Sequence, residues 1–277
     1  MEAVTVPDIT APDAYGNALQ NVDFVVHCAS PFTFNVTDIQ RDLLDPAIKG
    51  TAEIMKAIDR APSVKRIVLT SSFAAVIDPF KNPRPGYTYT EADWNPVTPT
   101  QALENQLFGY QASKTFAERL ALDFTEIQNA KGRDLSLIAI CPPMILGPVH
   151  PASGITSANP NESSAQLLNA LSAPEVPPTR MPVFVDVRDA AKAHVLALNL
   201  DKVRADVSER FLVCGGKFTW AVVGDIHRGV RMTEEVFAPS NGYYSIDAGK
   251  AEKVLGLVWT SLESAVEDCI ASLKPYA

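Results

Sequence analysis

Short hydrophobic runs alternate with helical patterns along the first half of the chain. Three runs, Val22–Cys28, Arg66–Thr70 and Leu135–Cys141, contain few polar residues, which is typical of parallel strands that are covered on both faces. Between them, Leu43–Asp59 and Ala102–Asn129 place apolar residues at helical spacing. This alternation predicts an α/β fold built on a doubly wound parallel sheet with right-handed crossovers.

Two proline-rich segments interrupt this pattern. Asp78–Thr100 contains five prolines and is predicted to hold no regular element. It is expected to overhang the carboxyl ends of the strands, where ligands of such sheets bind, and a solvated connection without a role is the alternative. The second segment, Gly147–Pro182, surrounds one predicted helix, Ser163–Leu171, and indicates the start of a smaller lobe.

Tyr110 and Lys114 are four residues apart in the predicted helix Ala102–Asn129, so their side chains project from one face. A nearby ammonium lowers the pKa of a phenol from about 10 toward neutrality, which makes Tyr110 a candidate proton donor to a carbonyl oxygen. Ser72, at the end of the run that begins at Arg66, is a candidate hydrogen-bond donor to the same oxygen. An isolated Tyr-x-x-x-Lys is also compatible with an ordinary solvated helix face.

Four further segments accompany this motif in the same order and at similar spacing as in a known family. The chain resembles the extended short-chain dehydrogenase/reductases, in the branch of dihydroflavonol reductases, cinnamoyl-CoA reductases and fungal aldehyde or methylglyoxal reductases. The resemblance runs from about Val4 to Leu273. The segments that carry it, besides the Tyr-Lys motif, are Val22–Phe32, Asp45–Thr51, Cys141–Pro148 and Val185–His194.

The resemblance implies a catalytic role for Ser72, Tyr110 and Lys114. The adjacent Ser71 is the alternative match to the catalytic serine of the family if the alignment shifts by one residue, and Ser72 is preferred. The lysine is implied to hydrogen-bond the nicotinamide ribose, and the polarised carbonyl then accepts a hydride from the reduced nicotinamide.

Further residues are implied to bind the cofactor. Asp8 matches an aspartate that binds the adenine amino group, and Ile9 would line the adenine pocket, although Asp8 is equally suited to a turn. Ala29 and Ser30 are small and would let the backbone approach the cofactor's ribose and phosphates. His27 is interpreted as a core histidine.

The resemblance also bears on the second half of the chain. Pro142 and Ile145 match the stretch that packs beside the nicotinamide. Asp186, Arg188 and Asp189 are interpreted as structural. We expect a partial Rossmann-like cofactor-binding domain with the catalytic residues over 1–146, and a mainly substrate-binding lobe with some returns to the sheet over 147–277.

One family feature is missing from the sequence. Members open with a strand, a Gly-x-x-Gly-x-x-Gly turn and a helix that hold the cofactor pyrophosphate, and no glycines here have that spacing. Val4–Thr10 looks like the family's third strand, so the sheet is predicted to be N-terminally shortened and cofactor binding to be weak or lost. NADP(H) is favoured over NAD(H), although the segment that selects between them is among those missing.

Composition narrows the class of protein. The chain has 277 residues, 47% of them hydrophobic, and a formal net charge of −8, which argues against a nucleic-acid partner. The acidic start Met1–Val4 and the lack of a long apolar stretch predict a cytoplasmic protein without a membrane partner. The cysteines and histidines are scattered, so no metal site is expected, and the cysteines are interpreted as buried reduced thiols: Cys28, Cys141, Cys214 and Cys269.

These observations predict an oxidoreductase that reduces a ketone or aldehyde of a small molecule with NAD(P)H, within secondary metabolism. The missing glycine turn motivates a second hypothesis, a cofactor-independent isomerase or cyclase that uses Tyr110 and Ser72, or a pseudoenzyme without catalysis. A third is a truncated form of an active reductase. The identity of the substrate and the oligomeric state do not follow from the sequence.

Overall fold

The computed structural model describes residues 3–30, 36–199, 208–230 and 242–273. Pro31 and Phe32, which belong to one of the family-like segments, lie outside these ranges. The chain divides into two compact units. The first comprises Met1–Pro79, Glu91–Cys141 and His194–Phe211, and the second comprises Phe80–Thr90, Pro142–Ala193 and Leu212–Ala277. The assignment of a cofactor role to 1–146 and a substrate role to 147–277 stays a prediction.

The described secondary structure is mixed. The strands are β1 (Phe24–His27), β2 (Arg66–Thr70), β3 (Thr88–Tyr89), β4 (Ser136–Cys141), β5 (Met144–Leu146), β6 (Val183–Asp186), β7 (Glu209–Leu212), β8 (Gly216–Lys217) and β9 (Ser245–Ile246). The α-helices are α1 (Asp45–Asp59), α2 (Pro99–Ala102), α3 (Gln106–Ala130), α4 (Glu162–Ser172), α5 (Val187–Leu198), α6 (Trp220–His227), α7 (Gly249–Leu255) and α8 (Leu262–Leu273). None of the described helices combines the length and the apolar character needed to cross a bilayer.

The main sheet of the first unit has the strand order β1-β2-β4-β7. Strands β1 and β2 run parallel, as do β2 and β4, with Val25 beside Ile67 and Ile67 beside Leu137. Helices α1 and α3 cover this sheet through a common hydrophobic core that includes Ile58 and Ala121. The α/β fold with a parallel sheet is therefore confirmed, and the predicted N-terminal shortening stays a prediction.

The start of α3 is well defined by its sequence. The side chain of Asn105 accepts a hydrogen bond from the backbone N–H of Phe108, which caps the helix. The short helix α2 begins with a capping box between Thr98 and Gln101, and Pro99 occupies its first turn. A proline in that position loses no intrahelical hydrogen bond.

The prediction that Asp78–Thr100 holds no regular element was wrong in three places, the first of which is a short 3₁₀ helix at Pro79–Lys81. Helix α2 starts inside this segment, at Pro99, for the reason just given. Strand β3 also lies within it and pairs in parallel with β9, where Thr88 is beside Ser245. The two-residue strand is too short to produce a recognisable hydrophobic pattern, so its pairing partner more than 150 residues later is not visible in the sequence.

The second unit has a three-stranded sheet in the order β5-β6-β8. Phe184, Phe218 and Trp220 form a series of edge-to-face ring contacts in its core, with centroid distances of 6.4 and 5.0 Å. Helices α4, α6 and α8 contribute to the same core. The predicted helix Ser163–Leu171 is confirmed as α4, one residue longer at each end.

A cluster of charged side chains connects several elements of this second unit. Arg188 binds the buried carboxylate of Asp186 at 2.8 Å and the carboxylate of Asp268 on α8 at 2.6 Å. Asp189 accepts a hydrogen bond from the backbone N–H of Thr260 at 2.6 Å. These contacts join β6, α5 and α8 within the second unit.

Gly109 permits a close contact at the start of α3. A Cβ added at Gly109 would lie 2.3 Å from a methyl carbon of Ile39 and 3.2 Å from the carbonyl oxygen of Ala102. We expect Gly109→Ala to lower the free energy of unfolding by about 1–2 kcal/mol, because overpacking outweighs the better helix propensity of alanine. Urea denaturation measures this change.

A matched control is Gly224→Ala in α6. There the three atoms nearest to the added Cβ would all belong to the Arg228 guanidinium, the closest at 3.2 Å. This variant should be neutral or slightly stabilised. If Gly109→Ala were as stable as the wild type, the close contact with Ile39 would not constrain the helix.

Candidate active site

Two adjacent serines lie where the chain leaves β2, and their hydroxyl groups have different partners. The Ser71 hydroxyl donates to the Glu118 carboxylate at 2.5 Å. The Ser72 Oγ accepts a hydrogen bond from the backbone N–H of Ala74 at 3.0 Å and so caps the short helical turn that follows. Because the Ser71 proton is committed to a buried carboxylate, this arrangement favours Ser72 as the serine that serves a substrate.

Helix α3 presents Tyr110, Lys114 and Glu118 at successive turns, and all three are buried. Tyr110 packs in one cluster with Ala74 and Leu43. The backbone of Ala74 is also bound by Ser72. The structure therefore brings the turn that Ser72 caps into contact with the Tyr110 ring.

An open cavity of the first unit contains Lys114 together with two of the predicted cofactor residues, Ala29 and Ser30. Its lining residues are His27, Ala29, Ser30, Thr51, Leu69, Thr70, Ser71, Lys114, Ala117 and Glu118. The Ser30 hydroxyl is buried and has no hydrogen-bond partner among the described residues. Buried polar groups normally have a partner, so this orphaned hydroxyl and the Lys114 ammonium fit a polar ligand such as the ribose-phosphate part of a nucleotide.

Burial shapes the charge state of the two basic groups in this cavity. It lowers the pKa of Lys114 to about 8, and the Coulombic influence of Cys28 opposes this shift in part. Burial, assisted by the positive charge of Lys114, lowers the pKa of His27 to about 4. At neutral pH the cavity therefore contains an ammonium ion on Lys114 and an uncharged imidazole on His27.

Asp8 and Ile9 do not line this cavity. The Asp8 carboxylate accepts hydrogen bonds from the backbone N–H and the hydroxyl of Thr10, at 2.8 and 2.7 Å, and these bonds lower its pKa. This is the turn geometry that the sequence also allowed. Ile9 packs against Gly50 of α1, where an added Cβ would lie 2.8 Å from its side chain. Their roles at the adenine stay predictions.

Pro142 and Ile145 belong to the second compact unit. Pro142 directly follows β4, and Ile145 lies in β5, where it pairs with Val185 of β6. Their position beside the nicotinamide stays a prediction.

The expectation that all four cysteines are buried was wrong for Cys28, which is exposed. It directly follows β1, on the strand face that also carries the exposed side chains of Phe24 and Val26. Its sulfur accepts a hydrogen bond from the Thr70 hydroxyl at 3.0 Å, and the same hydroxyl lies 2.7 Å from Nε2 of His194. A continuous hydrophobic run does not reveal which face of its strand lacks a cover.

Two functional candidates were missed in the sequence, Glu118 and Arg210. Glu118 lines the cavity and forms a buried ion pair with Arg210, with a distance of 2.6 Å between Nε and Oε1. One signal was available, because Glu118 lies four residues after Lys114 and therefore on the same helix face. Arg210 offered none, since it is 92 residues further along the chain.

Comparison with known proteins identifies the family of this chain. The profile of the 3-beta hydroxysteroid dehydrogenase/isomerase family matches residues 1–215. The ketoreductase azaE of Aspergillus niger is 36% identical over 99% of this chain and 82% of its own length. The chain belongs to this family. The extended short-chain dehydrogenase/reductase resemblance is thereby confirmed.

Two solved structures of family members share the fold over almost the whole chain. Gre2 of Candida albicans in complex with NADPH has a TM-score of 0.85 and 32% identity, over 97% of this chain and 82% of that one. Yeast methylglyoxal/isovaleraldehyde reductase Gre2, complexed with NADPH, has a TM-score of 0.84 and 30% identity, over 98% and 83%.

The lowered pKa of His27 makes a prediction about acid stability. In the unfolded chain a histidine takes up its proton near pH 6.5, whereas the folded protein does so only near pH 4. Between these values the unfolded state binds more protons, so the free energy of unfolding should fall as the pH falls, by up to about 1.4 kcal/mol per pH unit.

Urea denaturation of wild type and His27→Gln between pH 7 and pH 4 isolates this contribution. The variant should show a shallower decline, and the exposed His227→Gln should follow the wild type. Parallel curves for wild type and His27→Gln would contradict the burial of a neutral imidazole.

Proposed function

We propose that this protein is an NADPH-dependent oxidoreductase that reduces a ketone or an aldehyde of a small organic molecule. The observation that carries the proposal is the arrangement in the first unit. The turn capped by Ser72 packs on Tyr110 through Ala74, and Lys114 shares a cavity with Ala29 and Ser30. Relatives named as NADPH-dependent reductases support the choice of cofactor.

The catalytic roles follow from the chemistry of each side chain. Tyr110 donates its phenolic proton to the carbonyl oxygen, and Ser72 hydrogen-bonds that oxygen and orients it. Lys114 favours the phenolate that remains and binds the ribose of the nicotinamide. NADPH, when bound, supplies the hydride that reduces the carbonyl carbon.

The cofactor contacts are proposed in two groups. Ala29, Ser30 and Lys114 line one cavity, and the orphaned Ser30 hydroxyl supplies a donor for a phosphate or ribose oxygen. Asp8 and Ile9 would hold the adenine, and Pro142 and Ile145 would pack beside the nicotinamide, as the family resemblance implies.

The substrate class is a small carbonyl compound. The names of similar proteins include a ketoreductase and a methylglyoxal reductase, which supports a carbonyl substrate over a proton-transfer substrate. For the same reason, the NADPH-dependent reductase is preferred to a cofactor-independent isomerase or cyclase and to a pseudoenzyme. A place in secondary metabolism and a cytoplasmic location complete the proposal.

The direct test of the chemistry is Tyr110→Phe, assayed as NADPH oxidation with a panel of small aldehydes and ketones that includes methylglyoxal. Loss of a positioned proton donor should lower kcat by about 10² to 10⁴. Folding should be preserved, because only one hydroxyl is removed.

The matched control is Tyr15→Phe, because the Tyr15 hydroxyl is buried without a hydrogen-bond partner among the described residues. This variant should keep the turnover of the wild type and lose no stability. Equal activity of Tyr110→Phe and wild type would remove Tyr110 from the mechanism. A wild type that converts a substrate without nucleotide would revive the cofactor-independent alternative.

The lowered pKa of Lys114 predicts how the cofactor affinity depends on pH. Below about pH 8 the side chain is an ammonium ion that can donate to the cofactor, and above it the proton is lost. The Kd for NADPH, measured by calorimetry, should therefore rise above pH 8, by a factor that approaches ten per pH unit.

Lys114→Met should bind NADPH weakly, with no such rise. The control Lys49→Met removes an exposed lysine that pairs with Asp45 on α1, and it should keep the wild-type profile. A pH-independent Kd in the wild type between pH 7 and pH 10 would argue that Lys114 does not bind the cofactor.

A further inference from the structure

Glu118 is a fully buried carboxylate on the helix that carries Tyr110 and Lys114. Burying a charge is costly unless it is paired and hydrogen-bonded. Glu118 meets both conditions. Its Oε1 accepts from Nε of Arg210 at 2.6 Å, and its Oε2 accepts from the Ser71 hydroxyl at 2.5 Å and from Nη2 of Arg210 at 3.5 Å.

The partners of Glu118 come from separate parts of the first unit. Ser71 directly follows β2 and precedes Ser72. Arg210 lies on β7, and its Nη1 donates to the carbonyl oxygens of Glu91 and Asp93 at 2.6 and 2.8 Å. Its guanidinium also stacks on the Trp94 ring, 3.7 Å from the centroid. Arg210 is thus held from several sides and gives Glu118 a fixed anchor.

Ser71 connects this anchor to the proposed catalytic serine. Ser72 has an extended backbone, in which a side chain points away from that of its neighbour. A Ser71 side chain that is held by Glu118 therefore restricts the direction of the Ser72 side chain. The backbone N–H of Ser71 is held as well, by the carbonyl oxygen of Ile140 on β4 at 2.9 Å. Both the backbone and the side chain that precede Ser72 are therefore fixed.

We propose that Glu118 is a positioning residue of the reductase. Its carboxylate ties Ser71, and through it the backbone that presents Ser72, to the helix face that carries Tyr110 and Lys114. Rates of proton transfer depend strongly on such geometry, and small displacements of a catalytic group cost large factors in rate. Both carboxylate oxygens already accept hydrogen bonds, so Glu118 acts through Ser71 and not on the substrate. This inference rests on the proposed function.

The experiment compares Glu118→Gln, Ser71→Ala and their double variant with wild type. Either single change should lower kcat about tenfold or more, since one hydrogen bond to a charged group is lost. The double variant should be no slower than Glu118→Gln alone, because both changes remove the same charge-assisted hydrogen bond between Ser71 and a carboxylate. Ser71→Ala leaves the ion pair between Glu118 and Arg210 intact. It therefore tests the proposal even if Glu118→Gln does not fold.

A matched control separates positioning from stability. Gln128 is a buried polar residue of the same helix, and its side chain binds Asp59 of α1 at 2.7 Å. Gln128→Leu should lower the Tm without changing kcat per folded molecule. In contrast, the two positioning variants should change kcat beyond what their Tm predicts.

Hydrogen exchange of the segment Thr70–Ile77 provides a readout that needs no turnover. Ser71→Ala and Glu118→Gln should exchange these amides about tenfold faster than wild type, and Gln128→Leu should not. In an active protein, a kcat within twofold of wild type for Ser71→Ala overturns the inference. If the wild type oxidises no NADPH with any carbonyl compound, the proposed function fails. The positioning role is overturned separately if hydrogen exchange of this segment is unchanged in Ser71→Ala and Glu118→Gln.

Discussion

The close approach of helix α3 to its neighbours is the constraint on which the site depends. The buried positions of this helix include the small residues Gly109, Ala112, Ala117 and Ala121. Because these positions lack bulk, the longer side chains of the same helix reach the end of the sheet. Tyr110, Lys114 and Glu118 are thereby presented together by one rigid element, beside the point where β2 delivers the serines.

The two buried charges on this helix differ in how far other residues of the protein compensate them. Glu118 is paired with Arg210 and hydrogen-bonded by Ser71, so its burial is largely compensated within the protein. Among the described residues Lys114 has no such ion pair, and its lowered pKa reflects the cost of holding an ammonium ion away from water. A ligand that accepts hydrogen bonds from Lys114 would relieve this cost. The charge of the ion pair and the charge of the lysine proposed to bind the cofactor are thus separated by one helical turn.

The features that follow from local pattern were predictable, and those that follow from long-range pairing were not. Hydrophobic runs and helical spacing predicted β1, β2, β4, α1 and α3, and the motif placed Tyr110 and Lys114 on one face. The preference for Ser72 over Ser71 gained a physical reason only when Glu118 was seen to bind Ser71. Arg210, the exposure of Cys28 and the pairing of β3 with β9 depend on residues distant in sequence, so no local periodicity reveals them.

Following the hydride tests the proposed reduction most directly. The protein is incubated with a small carbonyl substrate and NADPH that carries deuterium at the transferable position of the nicotinamide, and the alcohol is analysed by mass spectrometry. If the hydride passes from NADPH to the carbonyl carbon, the product carries one deuterium on the carbinol carbon. Tyr110→Phe should form no such product on the same timescale. Product formed without nucleotide, or an alcohol without deuterium, would contradict the proposed reduction.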